Sequence, residues 1–236
     1  MNTIDVCISP DLLHLYKLEG KIVVVVDVLR ATSCMTTAFA NGVKSIIAVA
    51  TLEECMEYKN KGFLAAAERD GKTAEGFDLG NSPFSYMDAS FKDKTVVVTT
   101  TNGTQAITKS KAADQVMIGS FLNKTSIVKY LGKQEKDVLI LCSGWRGSFN
   151  MEDTLFAGSI VAGLEGTLVH NSDSALMAKR LYLAARHNMM QYLEDSTHFK
   201  RLSRLNLYND LEFCLTEDLY DILIAQENGE LVVLNK

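Results

Sequence analysis

The sequence predicts an α/β fold: a mostly parallel or mixed sheet covered by helices in three layers, with a helix-rich C-terminal third. Three observations lead there. Short apolar runs recur without interruption, the pattern of strands buried on both faces. Segments with helical apolar spacing separate them. Beyond residue 172 the strand-like runs nearly cease and helical spacing takes over.

Taken in order, residues 4–8 form a first candidate strand, and 22–28 a second that opens with five unbroken apolar residues. After Arg30, the stripe Met35, Ala38 and Phe39 stops at Asn41-Gly42, a helix C-terminal signal. A strand over 45–50 leads to Thr51-Leu-Glu-Glu, a capping pattern that starts a helix. Strands over 63–67, 95–99, 115–119 and 138–142 then alternate with helices over 104–110, 122–131 and 153–164. From 172 to 214 the spacing is helical, anchored by Leu176, Leu181, Leu183, Tyr192 and Leu193. Residues 220–224 and 231–234 suit a short terminal hairpin around Asn228-Gly229. The chain reads as one domain over 1–236, with 172–216 as a helical layer on it.

At 236 residues the chain can bury a sizeable core. A net charge of −5 without a basic block argues against nucleic acid or an anionic membrane as partner. It leaves room for a small phosphorylated organic acid in a locally positive pocket. The five cysteines are scattered without a CxxC pair, and residues 1–5 lack the basic start and apolar block of a signal peptide. A reduced, cytoplasmic protein is expected, and no apolar run is long enough to span a bilayer. The apolar C-terminal helices leave a homodimer open.

Ligands in open α/β sheets bind beyond the carboxyl ends of the strands. The run 22–26 ends in Asp27, Arg30, Thr32 and Ser33, and the run 63–67 in Glu68 and Arg69. The run 95–99 ends in Thr100, Thr101, Asn102, Gly103 and Thr104. The run 138–142 ends in Ser143-Gly144-Trp145-Arg146-Gly147, then Asn150, Glu152 and Asp153. Asp27 marks the emergence of a strand into a pocket, or else it closes a turn or pairs with Arg30. Glu68 at a second strand end adds a metal reading, because Mg2+ needs only two or three carboxylates and keeps several waters.

"TTTNGTQA" has the form of a phosphate-binding turn before a helix N-terminus, and equally of an ordinary capped connection. In "NMED", Asn150 suits a cap and both acids can offset the helix dipole, or serve a site; the structural reading leads for Glu152 and the functional one for Asp153. In "GNSPF", Asn81 and Ser82 either line the pocket or simply lead into a helix opened by Pro83. The histidines lack partners at ligand spacing, and His198, before Lys200, Arg201 and Arg204, reads as part of a solvated helix face. Cys142 reads as a buried small hydrophobe. No GxxxxGK[ST] or GxGxxG is present, and Leu29 stands where a two-aspartate phosphoenzyme would carry its second acid.

The blocks "VVDVLRATS", "AAERDGKTAEGFDLGNSP", "TTTNGTQA", "CSGWRGSFNMEDTLFAGSIV" and "STHFKRLSRLNLYNDLEFCL" together resemble the 2-phosphosulfolactate phosphatase family, in its order and over nearly the whole chain. The resemblance implies a Mg2+-dependent phosphatase giving 3-sulfolactate on the route to coenzyme M. It carries Asp27, Glu68 and Asp153 onto the metal site, with Asp210 as a fourth acidic position. Asp27, Arg30 and Asp153 are the expected catalytic groups. Thr32, Ser33, Arg69, Asn81, Ser82, Thr101, Asn102, Gly103 and Thr104 are expected around the substrate, with Arg146 a candidate grip for a carboxylate or sulfonate. Two rivals stand beside this reading: a phosphatase for another small hydroxy acid, and a non-catalytic anion-binding protein.

Overall fold

The computed structural model describes residues 1–170 and 172–234. Its centre is β2 (Ile22–Val26), flanked by β7 (Gln115–Gly119) and β8 (Val138–Cys142), with both pairings parallel. Beyond β8 lie β1 (Thr3–Cys7) and the short β9 (Val169–His170). A second parallel group joins β3 (Ser45–Ala48), β6 (Thr95–Thr99) and β4 (Leu64–Arg69), with β5 (Lys72–Thr73) antiparallel at its edge.

The hairpin β10 (Ile224–Glu227) and β11 (Glu230–Val233) is inserted between the two groups, β10 on β7 and β11 on β3. One mixed sheet of 11 strands results. The hairpin's first strand lies later than 220–224. Asn228 and Gly229 (φ 50° and 89°) make a tight turn of the kind asparagine-glycine favours, so pairing runs right up to Glu227 and Glu230.

Three successive antiparallel pairings separate β3 from β7, so the two parallel groups run in opposite senses. In a flat sheet their carboxyl ends would lie on opposite edges. The sheet instead curls around α1 (Ala31–Ala40), nine of whose residues, from Ala31 to Phe39, are buried. Val23 and Val25 of one group and Val96 and Val98 of the other pack in one core with Met35, Ala38 and Phe39. Sequence periodicity gave α1 a single buried stripe. Its other faces are buried too, because Thr36 and Thr37 donate their hydroxyls to the carbonyls of Thr32 and Ser33 and so carry no unmet polar group inward.

The alternate residues of each group face outward helices. Ile22, Val24 and Val26 pack against α5 (Met151–Gly163) and α6 (Asp173–Ala185). Val97 and Ala65 pack against Cys55 of α2 (Leu52–Asn60). Thr51 caps α2 as its sequence indicates, accepting from the Glu54 N–H. The remaining helices are α3 (Gly103–Lys109), α4 (Lys124–Leu131), α7 (Met189–Leu193), α8 (Thr197–Arg204) and α9 (Tyr208–Cys214). Among the described residues no helix is long and apolar enough to cross a membrane.

Candidate active site

The curl brings the ends of β2, β4, β6 and β8 to one narrow polar pocket, lined by Asp27, Leu29, Arg30, Glu68, Gly71, Asn81, Asn102, Trp145, His198, Arg201 and Leu202. Its free space is about 10 Å3, room for roughly one water.

Asp27 follows β2 directly. Its Oδ1 accepts from the Ala31 N–H at 3.3 Å, and Oδ2 has no hydrogen-bond partner among the described residues. Burial pushes its carboxyl up to about 6; the Ala31 N–H and His198 oppose the rise, and Glu68 and Glu152 add to it. Gly103 lets the turn after β6 pass against this carboxylate, since a Cβ there would meet Asp27 Oδ2 at 2.9 Å and Ala31 Cβ at 2.7 Å. Glu68, from the end of β4, is held at both oxygens: Oε1 accepts the Gly71 N–H at 2.5 Å and Oε2 the Thr101 hydroxyl at 3.2 Å. Gly71 (φ 83°) passes so close to Leu205 that a side chain would clash there.

Arg30 is buried, and its charge is matched inside the protein. Nη1 donates to Asp210 Oδ2 and Nη2 to the Gly71 carbonyl at 3.0 Å. That buried ion pair ties the β2 turn to α9 and to the turn after β4. Asn81 and Asn102 complete the polar lining, and Asn102 Oδ1 also accepts the Arg146 N–H at 3.1 Å.

The other expected residues lie around this lining rather than in it. Asp153 is fully buried beneath the pocket, where its two oxygens accept the N–H groups of Val28 (2.8 Å) and Gly144 (3.1 Å). It thereby joins the turns after β2 and β8. Burial holds its carboxyl well above the usual range, with Asp27 and Glu152 adding to the rise. Thr32 and Ser33 close the β2 turn through the carbonyls of Asp27 and Val28. Thr104 closes the β6 turn with Thr100, and Thr101 serves Glu68. Arg69 donates to its neighbour's carbonyl and to Thr99, and Ser82 precedes a short 3-10 turn at Pro83–Met87. Arg146 reaches away to Asp70 at 2.8 Å, and both are largely exposed.

Sequence reasoning missed Glu152, His198, Trp145 and Arg201. Glu152 is fully buried in the first turn of α5, a burial that its dipole reading did not indicate. His198 is buried rather than solvated, its Nδ1 at 2.5 Å from Glu152 Oε1 and its ring stacked on Trp145 with centroids 5.2 Å apart. The Arg201 guanidinium lies 4.1 Å from the Trp145 ring centroid. One signal was available: His198, Arg201 and Leu202 fall at i, i+3 and i+4 on one face of α8, with Leu205 at i+7 just past its end. Among the described residues no group of three or more His, Cys, Asp or Glu forms a ready metal cluster.

A family model described as 2-phosphosulpholactate phosphatase matches residues 7–229. Similar proteins, each named "Probable 2-phosphosulfolactate phosphatase", occur in Thermotoga maritima (41% identical over 91% of this chain and 93% of that one) and Caldanaerobacter subterraneus (40%, over 90% of each). Another, in Clostridium perfringens, is 38% identical over 97% of this chain and 95% of its own.

Proposed function

The chain belongs to the 2-phosphosulfolactate phosphatase family, and from that premise we propose that it hydrolyses 2-phosphosulfolactate to 3-sulfolactate and phosphate in a Mg2+-dependent reaction. The observation that carries this reading is the meeting of Asp27 and Glu68 with Arg30, Arg201, Asn81 and Asn102 in one pocket. A receptor for anions alone has no use for two carboxylates unless a cation stands between them and the ligand.

The donor set fits Mg2+. Asp27 and Glu68 are hard oxygen donors from two strand ends, and Asp27 Oδ2 is unspent. One or two carboxylates plus substrate phosphate are the usual protein share of such a site. Bound there, Mg2+ would supply Lewis-acid neutralisation of the phosphoryl charge. Around it, Arg30 keeps the β2 and β4 turns in register through Asp210 and Gly71, while Arg201 has an Nη2 without a hydrogen-bond partner among the described residues, suited to an acidic group of the substrate. The amides of Asn81 and Asn102 suit the remaining oxygens. Asp153 supports the site from beneath. Fixed donors of this kind supply most of the catalysis in phosphoryl transfer. We assign the protein to a reducing cytoplasm, in keeping with its five buried free thiols.

The test is phosphate release from a panel of phosphorylated 2-hydroxy acids, with Mg2+ and with EDTA. The expected result is turnover of 2-phosphosulfolactate that EDTA abolishes, and a loss of at least about a hundredfold in Asp27→Asn. Binding without turnover favours the anion-binding rival, and preference for another acid replaces the substrate.

A further inference from the structure

Resting on that phosphatase reading, we propose that Glu152 and His198 form its proton-delivery dyad, with His198 as catalytic residue at the leaving-group oxygen and Glu152 as the positioning residue behind it. Glu152 sits in the first turn of α5 at 0% exposure, although Asn150 already caps that helix. Its Oε1 meets His198 Nδ1, and its Oε2 has no hydrogen-bond partner among the described residues. Burying a carboxylate is costly unless a matched group repays it, and a histidine packed for bulk alone needs no such partner.

An ionised carboxylate only accepts, so Nδ1 turns its hydrogen to Glu152 and Nε2 is the ring nitrogen left for the pocket that His198 lines. No described group hydrogen-bonds Nε2. The stack on Trp145, with ring planes 25° apart, holds the imidazole against rotation. This is a charged partner, an oriented ring and a free nitrogen, the order of parts that makes a histidine a proton-transfer group.

Phosphoryl transfer passes through a loose transition state in which the attacking water is little bonded and charge gathers on the departing oxygen. For an alkyl ester that oxygen would leave as a poor alkoxide, so proton delivery gains most there. The water oxygen bonds to phosphorus, and the ester P–O bond breaks with its electron pair kept by the substrate oxygen. The Nε2 proton of the imidazolium passes to that oxygen and frees the alcohol. One water proton stays on the product as hydrogen phosphate, and the other returns through solvent to Nε2.

The test compares 2-phosphosulfolactate with its 3,3-difluoro analogue, which carries the same charges on a more acidic alcohol. His198→Asn and Glu152→Gln are expected to lose about a hundredfold or more in kcat on the parent ester, and at least about tenfold less than that on the analogue, with KM little changed. The double variant should be no slower than His198→Asn, because residues acting as a unit do not add. Turnover of the analogue also reports that a variant is folded, and His198→Asn alone decides the matter if Glu152→Gln fails to fold. Equal loss on both esters, or no loss, in an active enzyme overturns the dyad and leaves the phosphatase reading standing. A wild-type protein inert on both esters overturns the two together.

Discussion

Asp27 carries the tension of the site in a single side chain. Its carboxyl is buried, sits near Glu68 and Glu152, and is raised from 3.8 to about 6, chiefly by burial. A folded value above the unfolded one means that the folded protein binds the proton more tightly. The associated stability is therefore fully present below about pH 4 and is lost as pH rises through about 6. At pH 7 the metal-free protein holds an anion there at a cost of about 1–3 kcal/mol. Asp27→Asn keeps an oxygen for the Ala31 N–H and removes the charge. In EDTA it should melt several degrees above wild type at pH 7, the gain shrinking toward zero near pH 4. Calorimetry of both proteins across that range reads the difference directly, and a pH-independent difference refutes the assignment. At this same scale Asp27 and Glu68 were legible in the sequence, because a carboxylate ending an apolar run is conspicuous. Glu152 and His198 were not. A buried hydrogen-bonded pair 46 positions apart leaves no local trace, and basic neighbours on α8 made His198 look solvated.

Elements were easier to read than their faces. Most strands begin and end within a residue or two of their apolar runs, and the helix caps at Thr51 and Asn150 act as their spacing indicates. Contacts between turns were out of reach of periodicity. One such contact lies beside the pocket, between neighbours of its lining residues Gly71 and Trp145. Asp70, in the turn joining β4 to β5, meets Arg146 from the turn after β8 and lies 4.0 Å from Arg201 of α8. With room inside for about one water, a substrate is expected to need these turns to part. An exposed pair of this sort contributes at most about 1 kcal/mol, so it opens readily. Asp70→Ala should remove the strap, and with it a negative charge that repels an anionic substrate. The expected outcome is a severalfold fall in KM, with kcat nearly unchanged and thermal stability within about 1 kcal/mol of wild type. The gain should shrink at high salt, because the freed arginines act through a screened field. Steady-state kinetics at two ionic strengths separates this from a purely structural effect.

Over the whole molecule, the hairpin β10–β11 explains why a site can form at all. It reverses the sense of one parallel group relative to the other, and the curl around α1 then faces their carboxyl ends toward each other. Asparagine-glycine between apolar strands made the hairpin visible in the sequence. Its position at the middle of the sheet was not, since pairing partners more than 100 residues away leave no mark on its own pattern. Leu231 and Ala225 are fully buried, and each pairs across a junction between the groups, Leu231 with Ile46 and Ala225 with Met117. Leu231→Ala should therefore cost about 2–5 kcal/mol in urea unfolding, the range for a large apolar side chain deleted from a packed interior. Because the hairpin acts only by joining the two groups, kcat of the protein still folded should stay at the wild-type value. Activity should be lost in parallel with the unfolding transition. Deleting 224–234 exposes the β3 and β7 edges together, and insoluble chain is the expected product. A soluble, active truncation, or a Leu231→Ala protein with impaired kcat at full occupancy of the fold, contradicts this division between the element that joins the sheet and the turns proposed to carry the chemistry.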